Sequence, residues 1–518
     1  MKTIKTSILL TIAVLFIGIN QAVAQSQTLK NVGRNSLRSS GTILEGNIVK
    51  GYFFFYFSEK ADSKNSIYEV VVYDENLKEI ASESIKESKR ASLLESSYNG
   101  ESILFKFYDG KAKEVIYRTM NTKGELSDRV TREANKHELT YYNMSVSQEL
   151  ENTCVNALDK NSFIDVVTYK DKSYKYQINC IDNDGEQKWE YTPADSKGVF
   201  TGALLASNND MFLMLQAESK SVMSRDYTFS LLALENESGE EIFSIPMKSK
   251  RYNLMPYNAF FNPKTNNIII MGQYYNLSDK SMKSESQGIF VKVIDKEGND
   301  VSENFISWKT DIKTELPADK RAELAKYSVY FHDIQLTKDG KIIAIAEQYR
   351  KQVSAGGLAA KALSGNGAAS ATEIKVADML IVTLNDKYEL ESATILEKKP
   401  SRVNLGAGYG FVNQHVLAKV VDALGYFDYS FTQVNEDNSL ISIGYVDIEK
   451  SETGKGKELV LNIVSYSSGE SEPTKDKVTL KTEADAIRVL PAKPGHVLIM
   501  EYSRKKKTIE IRLEPINY

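Results

Sequence analysis

This chain lacks long apolar runs after its first 24 residues, has no excess of basic side chains and contains only 2 cysteines. Without an apolar run of about 20 residues, no transmembrane segment is expected beyond residue 24. A net charge of −4 does not provide the basic surface that binds nucleic-acid phosphates, so we expect no nucleic-acid partner. Proline and tryptophan are also scarce, at 10 and 2 residues.

The two cysteines are Cys154 and Cys180. The strand pattern places them on the first and third strands of one repeat unit, about 10 Å apart, which is beyond disulfide reach. We expect them to stay unbridged, although an oxidising compartment would permit a bridge. No third or fourth ligand lies near them in sequence, so we expect no metal site there.

The first 24 residues have the features of a secretory signal peptide. Two early lysines precede an apolar run over residues 8–19, and Ala22-Val23-Ala24 forms a small-x-small cleavage site. Twelve helical residues rise about 18 Å, too little for a hydrocarbon core of about 30 Å. We predict cleavage after residue 24 and export to the periplasm, the cell envelope or the medium. An uncleaved anchor is the alternative, and the absence of a following cysteine argues against a lipoprotein.

What the chain does contain is tyrosine and phenylalanine, at 29 and 20 residues, which favours strands. One pattern recurs: a strand, a tight polar turn, an apolar strand, a connection, a third strand, a second tight turn and a fourth strand. The clearest first hairpins cover residues 260–271 and 334–345. Further apolar second strands cover residues 52–56, 103–105, 163–166, 211–214, 440–443 and 497–500, and each of them follows turn residues.

The last of eight such units lacks a fourth strand, because the chain stops at Tyr518. Residues 28–34 precede the first unit without a partner, and they would close a ring by completing the last unit. We therefore predict an all-β fold, a β-propeller of eight four-stranded blades spanning residues 25–518 as one domain. Seven blades and a pair of packed sandwiches are the alternatives.

This repeat geometry resembles the β-propeller architecture over nearly all of the mature chain. The Trp-Asp and Kelch glycine hallmarks are absent. The chain is similar to uncharacterised exported β-propeller-like proteins of Bacteroidota type, and that resemblance implies the fold but no functional residue.

Long connections are expected on one face of the ring. They cover residues 248–257, 276–287, 309–327, 351–377 and 400–425, and the insertions at 309–327, 351–377 and 400–425 are the largest. Residues 317–326 and 411–424 have the pattern of helices, the second capped by Gly425. Because insertions in repeat folds gather on the binding face, we place the site there.

Aromatic and cationic side chains are concentrated in these connections, and both kinds are enriched at binding interfaces. The alternative is that a tyrosine-rich chain has tyrosines everywhere. The predicted binding residues are Arg251, Tyr252, Tyr257, Tyr274, Tyr275, Arg350, Tyr409, Tyr426 and Tyr429.

Recognisable catalytic motifs are missing from the sequence, so no catalytic residue, metal or cofactor is predicted. His332 precedes Asp333 at the start of an inner strand and is the one histidine considered for a channel site, although a structural role is the simpler interpretation. Asp-Asn-Asp-Gly and Asp-Lys-Glu-Gly are similar to calcium loops, but no distal glutamate completes them, so we interpret them as hairpin turns.

The sequence therefore favours an exported binding or interaction module for a protein, a peptide or a glycan. A propeller hydrolase or lyase that acts on glycan or peptide at the channel mouth is one alternative. A structural component of an envelope assembly is the other.

Overall fold

The fold is a ring of eight antiparallel sheets, a β-propeller, and the prediction of eight blades is confirmed. It is seen here in a computed structural model. The structure describes residues 25–33, 40–45, 48–58, 62–148, 154–170, 172–194, 198–221, 226–279, 284–353, 372–405, 414–450, 457–470, 472–480 and 484–517.

Each blade has four strands, lettered a to d from the channel outward. Blade 1 contains β2 (Gly41–Glu45), β3 (Ile48–Ser58), β4 (Asn65–Asp74) and β5 (Glu79–Ser88), and blade 2 contains β6 (Ala91–Tyr98), β7 (Ser102–Asp109), β8 (Glu114–Asn121) and β9 (Val130–Glu133). Blade 3 contains β10 (Val155–Asp159), β11 (Ser162–Lys170), β12 (Tyr174–Asp182) and β13 (Gln187–Tyr191), and blade 4 contains β14 (Val199–Ser207), β15 (Met211–Ser219), β16 (Thr228–Glu235) and β17 (Glu241–Pro246).

The second half of the ring repeats this order. Blade 5 contains β18 (Tyr252–Phe261), β19 (Ile268–Asn276), β20 (Gly288–Ile294) and β21 (Asp300–Ser307), and blade 6 contains β22 (Ser328–Leu336), β23 (Ile342–Val353), β24 (Thr372–Leu384) and β25 (Leu390–Leu396), with β26 (Ser401–Asn404) paired to β24. Blade 7 contains β27 (Tyr429–Val434), β28 (Leu440–Lys450), β29 (Lys457–Ser467) and β30 (Thr474–Leu480), and blade 8 contains β31 (Ala486–Pro491), β32 (His496–Ser503), β33 (Thr508–Pro515) and β1 (Ser26–Lys30).

The N-terminal segment closes the ring, as predicted, because β1 is the outer strand of blade 8 and pairs antiparallel with β33. The strand begins and ends a little earlier than the predicted 28–34. Beyond it, the backbone N–H of Val32 donates to Lys507, and that of Gly33 donates to Phe57 of blade 1. The segment therefore joins the last blade to the first.

The hydrophobic core is divided among the blade interfaces. Each of the eight contacts between neighbouring blades has its own cluster of buried apolar side chains. Between blades 1 and 2, for example, the Phe55 and Phe105 rings lie 5.2 Å apart. The second strand of each blade contributes apolar side chains to the interfaces on both of its faces. Its sequence is therefore a nearly continuous apolar run and does not alternate between apolar and polar residues.

One c–d turn recurs in five blades and explains the calcium-like sequences. Its first side chain accepts backbone N–H groups from the residues two and four positions later, and this residue is Asp74, Asn121, Asp182, Asp295 or Asn385. The fourth position has a positive φ, which favours glycine, and is Leu77, Gly124, Gly185, Gly298 or Tyr388. The carboxylates therefore close hairpins, as the sequence interpretation held.

A β-bulge also recurs in the inner strands. It bends the strand and changes the direction of one side chain. In blade 5 the pairing shifts between Pro256 and Asn258, which leaves Tyr257 unpaired. In blade 6 it shifts between Phe331 and Asp333, which leaves His332 unpaired.

Within the described ranges, helices interrupt the strand pattern in three places. A π-helical turn Trp308–Ile312 leads into helices Lys313–Glu315 and Ala318–Leu324, near the predicted 317–326. The predicted second helix is Gln414–Ala423, and Gly425 caps it with φ +64°. The third helix, Lys136–Gln148, was not predicted.

Two predicted long connections are shorter in the structure, because strands extend into them. Of residues 248–257, those from Tyr252 onward belong to β18. Of residues 351–377, β23 covers those up to Val353 and β24 those from Thr372, while residues 354–371 lie outside the described ranges. Cys154 and Cys180 lie on either side of β11 and are not joined by a disulfide. Within the described ranges, no helix is long and apolar enough to cross a bilayer.

Candidate functional site

The b–c and d–a connections emerge on one face of the ring, which we call the insertion face. The helical segment Trp308–Leu324, β26 and the helix Gln414–Ala423 all lie in d–a connections. So does the helix Lys136–Gln148, which joins β9 to β10. The a–b and c–d hairpins emerge on the opposite face, which we call the turn face.

A cavity of about 340 Å³ lies between blades 5 and 6 at the insertion face. Trp308 and Tyr327 supply aromatic walls, and Leu324 and Val329 supply apolar ones. Glu285 adds a carboxylate from the b–c connection of blade 5. The volume falls within the range of about 300–1,000 Å³ that small-molecule and side-chain pockets occupy.

The end of β21 fixes the position of Trp308. The hydroxyl of Ser307 accepts backbone N–H groups from the first π-helical turn at 3.2 and 3.3 Å, and the carboxylate of Asp311 accepts the Ser307 N–H at 2.7 Å. The Trp308 indole donates to Ser286 Oγ at 2.8 Å. Its ring stacks on Phe331 with centroids 6.4 Å apart, so the indole face is presented by a rigid support.

Cations surround this cavity. Lys309 and Lys313 line it directly. Behind Tyr327, the Lys375 ammonium donates to the phenol oxygen at 2.6 Å, and the Arg350 guanidinium lies 5.2 Å from the ring centroid. A ligand group that is apolar and also carries a negative charge would therefore find both an apolar wall and nearby cations in this cavity.

The predicted binding residues divide into three groups in the structure. In the first, Arg251 is exposed and lies 5.5 Å from the Tyr252 ring, which packs against Tyr274 at 4.6 Å. Phe305 completes this aromatic group at 4.9 Å from Tyr252. Tyr274 is 4% exposed, so the group presents Arg251 and the edge of Tyr252 to solvent.

The second group stands behind the cavity wall. Tyr257 and Tyr275 both donate to the side-chain oxygen of Gln273, at 3.3 and 3.1 Å, while the amide of Gln273 donates to the Val329 carbonyl at 3.2 Å. Burial raises the pKa of Tyr257 above its usual range. Since Gln273 and Val329 line the cavity, these tyrosines hold its floor in place.

The third group lies at blade 7. Tyr426 follows the helix Gln414–Ala423 and is 50% exposed. Tyr429 begins β27 and stacks on the His332 imidazole, with centroids 4.7 Å apart and planes 12° apart. Tyr409 lies outside the described residues, and Arg350 lies behind Tyr327 of the cavity wall.

His332 belongs to a buried polar cluster between blades 6 and 7. Its Nε2 lies 2.8 Å from Glu347, whose other oxygen lies 3.1 Å from the Lys398 ammonium. Lys398 also pairs with Asp428, and the Tyr429 N–H donates to Glu347 at 3.2 Å. These partners come from β22, β23, β27 and the connection after β25.

Charge pairing decides the ionisation of this cluster. Burial alone would raise the pKa of Glu347, but Lys398 and the His332 hydrogen bond outweigh it and hold the pKa below its usual range. Burial would lower the pKa of Lys398, yet Glu347 and Asp428 raise it above its usual value. The cluster is therefore a buried ion pair at neutral pH.

The cluster also supports the helix Gln414–Ala423. Tyr330 donates to Asp422 of that helix at 2.9 Å and stacks on Phe427, with centroids 4.8 Å apart. The His332 side chain is 2% exposed and does not line the cavity between blades 5 and 6. Its Nδ1 lies 3.8 Å from Asp422, so the imidazole is part of the contact between β22 and this helix.

A comparable cluster lies across the ring and was missed from the sequence. The Lys106 ammonium lies 2.7 Å from Asp165 and 3.4 Å from Glu95, and all three side chains are buried. Arg132 joins Asp165 to Glu138 of the helix Lys136–Gln148, at 3.3 and 2.8 Å.

The signal for that helix was present in the sequence as a capping box. The Asn135 side chain accepts the Glu138 N–H at 3.0 Å, and the Glu138 carboxylate accepts the Asn135 N–H at 2.9 Å. An Asn followed three residues later by Glu has this reciprocal pattern at a helix start. Among the described residues, no three His, Cys, Asp or Glu side chains are grouped to hold a metal ion.

Comparison with known proteins identifies a family for this chain but no function. A family model, described as "Family of unknown function (DUF6770)", matches residues 1–517. No curated protein matches the chain.

Several solved propellers are similar to the chain. The WD40 domain of SCAP from fission yeast is 10% identical, with 94% of this chain and 98% of that one covered and a TM-score of 0.39. The β-propeller domain of the Trilobed protease from Pyrococcus furiosus is 8% identical, with 87% and 98% covered and a TM-score of 0.35. An ulvan lyase of family PL25 is 9% identical, with 81% and 91% covered and a TM-score of 0.40. We transfer no activity and no residue role from them.

Proposed function

The chain belongs to the DUF6770 family of unknown function, and we propose that it is a binding module whose insertion face takes a peptide segment of a protein partner. The observation that carries this proposal is the cavity between blades 5 and 6, with its aromatic walls and cationic rim. The anchor of such a segment is an apolar side chain next to a carboxylate.

Three features support this ligand class. The faces of Trp308 and Tyr327 are suited to an apolar or aromatic anchor, and such anchors dominate the binding energy of interfaces. Lys309 and Lys313 are placed to pair with an adjacent carboxylate. The walls are braced by hydrogen bonds at Ser307 and Gln273, so little ordering is required on binding.

Filling the cavity, or removing one of the cations that line it, should weaken peptide binding. We would select peptides from a random display library against immobilised residues 25–518, then measure their affinities for the Ala325→Trp and Lys313→Gln variants. Ala325 is exposed at the end of the helix Ala318–Leu324 and lines the cavity, so a tryptophan there occupies the space without disturbing the core. We expect selected peptides to pair an apolar residue with Asp or Glu and to weaken at least about 10-fold with either variant, about 1.4 kcal/mol per tenfold.

The matched control is Ile242→Trp, which adds an indole to the outer strand of blade 4, where Ile242 is 42% exposed. It should leave affinity unchanged. Peptides that bind Ala325→Trp as tightly as the parent would show that the cavity is not the site.

We also propose that the protein is exported and begins at Gln25 after cleavage. Cleavage there leaves β1 intact, and the Gln25 carbonyl accepts the Leu513 N–H at 2.9 Å. Mass spectrometry of the protein from fractionated cells should find a mature N-terminus at Gln25 in the periplasmic, envelope or extracellular fraction. Recovery of the chain in the cytosol with residues 1–24 attached would contradict the proposal.

A further inference from the structure

A larger cavity lies on the turn face, away from the site described above. Its volume is about 790 Å³, and it lies mainly between blades 1 and 2. The inner strands β2 and β6 supply much of its wall, and it reaches Arg488 of blade 8 and Lys160 of blade 3. Its size is in the upper part of the range of ligand pockets.

Hydroxyl groups are abundant on the walls of this cavity. They belong to Ser40, Thr42, Ser96, Ser97, Tyr98 and Thr122. A hydroxyl both donates and accepts hydrogen bonds, so this lining is matched to a ligand that itself carries many hydroxyls. The walls are therefore unlike the aromatic and apolar cavity of the insertion face.

Ser40 lies in the wall of this cavity and is 3% exposed. Its backbone carbonyl is already held by Arg488 at 2.8 Å, which fixes Ser40 at the cavity wall.

The charge of the cavity is positive although the chain as a whole is at −4. Lys50, Lys160 and Arg488 line it, against the one lining carboxylate of Glu45. The turn that carries Lys160 is tied to its neighbour, because Asn183 donates to the Lys160 carbonyl at 3.0 Å and accepts from Asn99 at 2.7 Å. The backbone beneath this cation is thus held in place before any ligand arrives.

We propose that the turn-face cavity binds an acidic oligosaccharide, a sugar chain that carries carboxylate or sulfate groups. The hydroxyl-rich walls bind the sugar hydroxyls, and the lysines and Arg488 pair with the acidic groups. The Tyr98 hydroxyl donates to the Gly100 carbonyl at 2.7 Å, which fixes its ring as a surface against which a sugar ring packs. This site is separate from the peptide site and does not depend on it.

Calorimetric titration of residues 25–518 tests the proposal with three probes of equal length: an oligogalacturonate, a sulfated galactan oligosaccharide and a neutral malto-oligosaccharide. We expect at least one acidic probe to bind at least 10-fold more tightly than the neutral one. The Lys50→Gln/Lys160→Gln variant should weaken that binding at least 10-fold, since both lysines are exposed and their loss does not disturb the core. Which acidic probe binds identifies carboxylate or sulfate as the recognised group.

The matched control is Lys78→Gln/Lys123→Gln, which removes the same charge from exposed c–d turn residues that do not line the cavity. It should change the Kd less than twofold. Equal binding of neutral and acidic probes, equal losses in the two lysine variants or no binding of any probe at millimolar concentration would overturn the proposal.

Discussion

Replacing Lys106 by methionine should lower the free energy of unfolding by about 3–5 kcal/mol, the usual cost of removing one partner of a buried ion pair. The Lys106 ammonium is fully buried between Asp165 and Glu95, so the variant keeps two buried carboxylates without their main counter-ion. Methionine nearly preserves the volume of the lysine stem, which separates the loss of charge from the loss of packing. Guanidinium denaturation followed by circular dichroism measures the difference.

This loss should shrink as the pH falls from 8 to 5. In the parent, burial is outweighed by Lys106 and Arg132, which hold the pKa of Asp165 below its usual value. Its ionised form therefore stabilises the fold until the pH falls through that lowered pKa. Burial already raises the pKa of Glu95 in the parent. Without Lys106 the pKa values of Asp165 and Glu95 both rise, so acidification protonates these carboxylates earlier in the variant and removes the unpaired charge.

Lys338→Met is the control, because Lys338 forms a comparable 2.7 Å contact with Asp437 on the surface, where the two side chains are 60% and 46% exposed. Exposed pairs contribute little, so its unfolding midpoint should match that of the parent. If the two methionine variants were equally stable, the buried cluster would not be stabilising the junction of blades 2 and 3.

A chain that begins at residue 34 should fail to form a stable monomer. It loses β1, which leaves the edge of β33 unpaired, and it loses Leu29 and Val32 from the core between blades 8 and 1. An unpaired edge strand pairs readily with another copy of the chain. We expect oligomers by light scattering and a lower melting temperature, which in a chain of this length falls by about 1 °C for each kcal/mol of stability lost.

A synthetic peptide of residues 25–33 should bind the shortened chain and restore the monomer and its melting temperature. Within the full mature chain, Leu29→Ala should cost about 2–5 kcal/mol, as buried Leu→Ala changes do. Thr28→Ala, on the exposed side of the same strand, is the control and should cost little. A monomeric shortened chain with unchanged melting would mean that the ring does not need its closing strand.

Sequence reasoning was most successful where structure is local. The hairpin turns depend on an Asp or Asn and a residue with positive φ within five positions, so they are visible in the chain itself. The helix Ala318–Leu324 and the cap at Gly425 are local in the same way. The helix Lys136–Gln148 was missed because apolar residues do not recur along it with a clear helical period, although its capping box was present in the sequence.

The candidate sites were only partly visible. The insertion face followed from the lengths of the connections, and Arg350, one of the predicted binding residues, lies 5.2 Å from the ring of Tyr327, which lines the cavity. Trp308 and Lys313 were not singled out, because a lone tryptophan and a lysine in an irregular connection have no distinctive spacing. The bulge that turns Tyr257 toward Gln273 depends on strand register, which the sequence does not display.

The sequence by itself predicted eight blades, with seven as an alternative, and a closing strand, because each repeat and its turns are local and the units can be counted along the chain. Only the tertiary structure decided which polar groups meet. Lys106 and Asp165 are 59 positions apart, and the Tyr429 N–H reaches the Glu347 carboxylate across 82 positions, both on neighbouring blades. The chain has 65 basic and 69 acidic side chains, so many ion pairs are conceivable. The packing of the blades decides which of them form in the interior, since packing excludes water from only a few of these pairs.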